Sequence, residues 1–182
     1  MEKLFKWASS TFALLPGVAI IVTNLGTPPG ISKVLLGGII EACGAFTLLT
    51  LNHRKVALSK IDQRKRKRAA ITFFILFFLS LLIYIILFQV QVVEDPKYEP
   101  VLFPFWNNAD LENMIQMAHS RYNALDMYGS QAVLNDINSS KMPIAITVVC
   151  FITTYTLVFE FLTLGFGFIA VAKNNVTPTT AT

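Results

Sequence analysis

The chain has 182 residues, of which 54% are hydrophobic, and a formal net charge of +4 at pH 7. Its charges lie in clusters separated by long uncharged runs, which excludes an ordinary soluble domain, where charges are spread over the surface, and marks a polytopic membrane chain. The basic excess sits in one connection and the acidic excess in another, so the asymmetry reports topology and anionic headgroups, not a nucleic-acid partner.

Lys3 and Lys6 precede an interface-type Trp7, and Ala8 to Leu25 then runs without a charge for about eighteen residues, near the minimum for a spanning helix. Pro16-Gly17 and the Gly-Thr-Pro-Pro-Gly turn after Leu25 argue for a retained, kinked first span in place of a cleaved signal peptide. That turn is too short for a domain, so the second span, Val34 to Leu51, is an antiparallel neighbour. Gly37, Glu41, Gly44, Ala45 and Leu48 share one of its faces, with Gly38 and Ala42 beside them, and small residues there admit a second helix backbone.

Residues 52–68 form a basic connection. Its eight bases are Arg54, Lys55, Lys60, Arg64, Lys65, Arg66, Lys67 and Arg68, with Val56, Leu58 and Ile61 interspersed. The pattern divides it into an amphipathic stretch suited to a partner and a basic collar suited to anionic lipid. Ala69 to Val93 is the strongest span, uncharged and apolar nearly all round, and Ser80, Tyr84 and Gln91 mark the side that faces protein. Residues 1–93 thus hold three spans.

Residues 94–141 are polar, with seven acids against three bases. Three prolines in nine residues make the opening extended. Asn108 then caps an amphipathic helix expected over about 109–128, with Leu111, Met114, Ile115, Ala118, Tyr122 and Leu125 on its apolar face. Gly129 ends it, and Ser130 to Ile137 are expected to add a short helix. A fourth span follows within 142–173, interrupted only by Glu160, and residues 174–182 read as a disordered tail.

The expected fold is therefore an all-α integral membrane protein of four transmembrane helices. Eleven Lys or Arg fall on the side of the basic connection and four on the other, so both termini are expected to be cytoplasmic and residues 94–141 to lie outside.

No phosphate-binding glycine loop, serine elbow or zinc-type histidine pattern occurs, and His53 and His119 fall on opposite sides. An enzyme, a metal site or a cofactor is accordingly not expected. Cys43 and Cys150 read as small buried side chains. The residues with functional potential are the intramembrane acids, because a carboxylate at that depth is costly and faces protein or water. Val149, Thr153, Thr156, Glu160, Thr163 and Gly167 form a heptad seam of small and hydrogen-bonding residues. If that seam is dry, Glu160 bonds threonine hydroxyls and Tyr84 as structural glue; if it is wet in an oligomer, a ring of Glu160 forms a cation-selecting constriction.

A tetraspanin would carry cysteines in its large outer loop, and a claudin would place that loop between its first two helices; this chain does neither. Short length, cytoplasmic termini, a basic inner connection and one cysteine-free outer segment make it similar to small bacterial membrane proteins of phage defence, above all to the membrane subunit of the Kiwa system. That resemblance implies an oligomeric inner-membrane sensor of phage attack working with a cytosolic DNA-binding partner, and it carries over no functional residue. Sequence thus leads to a non-enzymatic oligomeric sensor or scaffold, with a Glu160-dependent channel or permeabilising effector as the alternative.

Overall fold

The computed structural model describes residues 27–54, 63–94 and 99–173. The expected first span, residues 55–62 of the basic connection and the tail after Lys173 lie outside the described residues. In chain order the described elements are α1 (Lys33–His53), α2 (Gln63–Gln91), β1 (Val92–Glu94), β2 (Pro100–Leu102), α3 (Ala109–Ala118), α4 (Arg121–Tyr128), α5 (Ser130–Ser139) and α6 (Lys141–Lys173). Among them α1, α2 and α6 are long and apolar enough to cross a bilayer. Most of their surface points outward, in α2 above all, where Ile71, Ile75, Phe78 and Ile86 are exposed. Such surface is stable against lipid and not against water.

The chain falls into two compact units. The first includes Lys33–Leu81 and the chain from Tyr155 onward. Here Phe73 stacks on Phe161 and Phe168, and Phe74 meets Phe166 edge-on. A side chain at Gly165 would press on the Phe74 ring at 3.1 Å, and one at Gly167 would collide with Leu51. Both glycines are therefore close-approach points, as small residues in membrane helices commonly are.

The second unit includes Leu82–Thr154 and contains a small folded cap. On either side of residues 95–98, which lie outside the described residues, β1 and β2 pair antiparallel, Val92 with Leu102, Val93 with Val101 and Glu94 with Pro100. Pro100 opens its strand, a position where the missing N–H does no harm. The Phe103 N–H then donates to the Gln91 carbonyl at 2.8 Å, tying the strand to the end of α2. Val101, Phe103, Leu111, Leu125, Val133 and Ile137 make the core, and Val93, Met114, Ile115, Leu134 and Ile144 pack around it.

Asn108 caps α3 as expected, its side chain accepting from the Leu111 N–H at 2.7 Å. The Asn108 amide also donates to the Asp136 carbonyl and the Ser139 hydroxyl of α5, so one residue ends a loop and pins a second helix. The single helix expected over 109–128 is two helices. His119 takes the left-handed conformation at φ 65°, and Ser120 caps the new start by accepting from the Asn123 N–H at 3.0 Å. The Asn123 amide closes the old end by donating to the Ala118 carbonyl. Side chains that bond the backbone locally thus compete with helix continuation. The break resets the helical phase: Tyr122, expected on the buried stripe, is 51% exposed, while Ala124 and Leu125 turn inward.

Leu125→Ala is expected to destabilise the cap by about 2–5 kcal/mol, read as a lower unfolding midpoint and faster proteolysis between the hairpin and α5. Tyr122→Ala should stay within about 0.5 kcal/mol of the parent; equal losses at both positions would show that α3 and α4 are continuous.

Candidate functional site

The polar centre of the first unit joins α1 to α6. The Thr47 hydroxyl donates to Glu160 Oε2 at 2.6 Å, a short contact between part-buried side chains. Next to it the Thr163 hydroxyl donates back to the Phe159 carbonyl of its own helix. Thr156, one turn before Glu160, has a buried hydroxyl oxygen without a hydrogen-bond partner among the described residues. Thr47 was not singled out from the sequence, although it lies three residues after the buried Gly44 and seven after the buried Ile40, on the same face of α1.

The seam expected from Val149 to Gly167 is divided. Thr163 and Gly167 are buried and Glu160 is half-buried, but Val149 is 60% exposed and Thr153 is exposed. Over its first half α6 instead turns in Thr147 and Phe151, a face offset by about 200° from the expected one. Tyr84 belongs to the second unit, where its ring meets Phe151 edge-on at 5.9 Å. Ser80, Tyr84 and Gln91 are all buried, as their alignment required, and Ala70 and Arg66 extend the same stripe.

On α1, Gly37 and Gly44 are buried and Glu41 is half-buried. Ala45, expected on the same face, is exposed because the inward face is rotated toward Leu36, Ile40 and Leu51. Gly38 and Ala42 are exposed. Cys43 and Cys150 are free thiols.

The basic collar proves to be the first turns of α2. Arg64, Lys65, Lys67 and Arg68 are exposed there, whereas Arg66 is turned inward at 3% exposure. Arg54 is exposed at the end of α1, and Lys55 and Lys60 lie outside the described residues.

At the opposite end of α2 lies a residue that sequence reasoning passed over. Arg121 Nη1 donates to the Val90 carbonyl at 2.8 Å and to Gln91 Oε1 at 3.2 Å, with its guanidinium 5.1 Å from the centre of the Phe103 ring. A helix C-terminus is electronegative and favours a cation, yet α2 has no base in its own last turn. Arg121 supplies that charge from α4. Burial lowers its pKa, the nearby Glu112 opposes the shift, and a guanidinium stays protonated throughout. The available signal was that Arg121 is the only Lys or Arg between Pro100 and Ser140.

Among the described residues no three His, Cys, Asp or Glu side chains are grouped to hold a metal. The arrangement provides two polar ties, one between α1 and α6 and one at the C-terminal end of α2.

A double-mutant cycle with Thr47→Val and Glu160→Gln is expected to give a coupling of about 1 kcal/mol in detergent-titration unfolding; additive losses would mean that the two side chains do not meet. Arg121→Ala should cost about 1.5–3 kcal/mol and speed amide exchange at the end of α2. Arg121→Lys should recover only part, since an ammonium cannot reproduce the fork. No protein-family model, curated protein or solved structure matches the chain.

Proposed function

We propose that this chain is a non-enzymatic, oligomeric membrane sensor or scaffold that couples a perturbation at the outer face of a bacterial inner membrane to a cytosolic protein. The observation that carries the reading is the construction of α2. It is one uninterrupted helix, gripped at its outer end by Arg121 and Phe103 and exposing Arg64, Lys65, Lys67 and Arg68 at its start. Force applied to the cap acts on the helix that carries the basic surface, so no enzymatic step is needed to pass a signal. Those four bases suit an acidic partner surface and, between encounters, anionic headgroups. Resemblance to the Kiwa membrane subunit supplies the setting, defence against phage.

The channel alternative assigns Glu160 to a wet pathway. The Thr47 bond favours the dry role, because it satisfies the carboxylate from within the protein.

With Arg64, Lys65, Lys67 and Arg68 all replaced by Gln, the protein is expected to keep its oligomeric mass and topology while losing capture of the proposed cytosolic partner from bacterial lysate, and losing phage protection in cells. Unchanged capture and protection would remove the basic surface from the mechanism. Currents in planar bilayers that Glu160→Gln abolishes would establish the channel alternative instead.

A further inference from the structure

The level of the bilayer boundary on the second unit follows from one length along α2, carried to α6 by one contact. Along α2 the uncharged run begins at Ala69, directly after Arg68; a hydrocarbon core about 30 Å thick takes about 20 helical residues, which brings the outer boundary to the level of Phe88. On α6 the matching level comes from packing. Tyr84 meets Phe151, and the helices run in opposite directions, so one helical turn outward from each contact residue sets Phe88 level with Thr147.

Thr147 is where the cap returns to the membrane helices. It is fully buried, its hydroxyl donates to the Pro143 carbonyl at 2.9 Å, and its oxygen accepts the Phe105 N–H at 3.0 Å. The preceding stretch, Val101 to Phe105, carries no charge, and Val101, Leu102, Phe103 and Pro104 are all buried. Trp106 comes next and is 50% exposed. An indole left half-open to water on a polar outer cap has no evident use, but at the boundary between headgroups and acyl chains it is the favoured side chain, apolar in body with one N–H for a headgroup or carbonyl. Ile146 and Val149, at and just inside that level on α6, are exposed, as a lipid-facing surface requires.

We propose that Trp106 is a lipid anchor, its indole seated at the outer boundary between headgroups and acyl chains, so that the cap binds the bilayer surface. A change in lipid packing then acts on the cap directly through the Phe105–Thr147 tie. The anchor stands whether or not a cytosolic partner binds the basic end of α2.

Trp7 and Trp106 are the only tryptophans, so Trp7→Phe leaves a single reporter, and Trp7→Tyr serves if that variant folds poorly. Reconstituted in vesicles of phosphatidylcholine and phosphatidylglycerol, Trp106 is expected to emit to the blue of free indole. Lipid brominated near the headgroup end of its chains should remove most of this emission, while lipid brominated near the methyl end, or aqueous iodide, should remove little. Strong iodide quenching with none from either lipid would put Trp106 in water and overturn the proposal. Shielding from iodide and both lipids would overturn it equally, since protein, such as a second copy of the chain, would then cover the indole.

Discussion

Hydrocarbon offers no hydrogen bonds, so a polar group carried into the membrane is costly unless it finds a partner within the protein. The helices meet this for the backbone, and several side chains do so at short range, Thr156 being an exception among the described residues. Thr154 and Thr163 bond carbonyls four residues back, Ser80 bonds one three residues back, and Glu160 takes a hydroxyl from Thr47 on another helix. Because that last bond joins residues far apart in sequence, it sets which faces of α1 and α6 meet, and Gly167 allows Leu51 to follow at close range. Glu160 is thereby a register mark between the two helices.

Outside the bilayer the constraint changes from satisfaction to attachment. A segment of some fifty residues buries too little apolar surface to stand alone securely, and the cap compensates by using the membrane helices as part of its own frame. Its core takes in Ile144 of α6, Phe103 hangs from the last carbonyl of α2, and Arg121 neutralises that helix end. The same contacts that stabilise the cap fix it to the last turn of α2.

Placement of the bases sharpens this division of labour. Arg66 lies on the stripe of α2 that also buries Ala70, Ser80, Tyr84 and Gln91, while its neighbours point outward. A helical start to the collar therefore sorts five adjacent bases into an inward one and four outward ones, something an irregular loop would not do.

Sequence by itself determined the membrane class, the bounds of α1 and α6 and the end of α2 to within a few residues, the Asn108 cap, the helix after Gly129 and the protein-facing stripe of α2, because each depends on hydropathy or on chemistry within one turn of chain; the start of α2, six residues ahead of the expected Ala69, was hidden by the charges of the collar. Only the tertiary structure decided the partner of Glu160, the role of Arg121, the division of the Val149–Gly167 seam and the exposure of Tyr122. Periodicity tells which residues share a face, but a left-handed residue such as His119 resets the phase, and the element that covers a face is selected by contacts between distant parts of the chain. Glu160 was legible as a costly group needing a partner; Thr47 became that partner only when two helices were brought together.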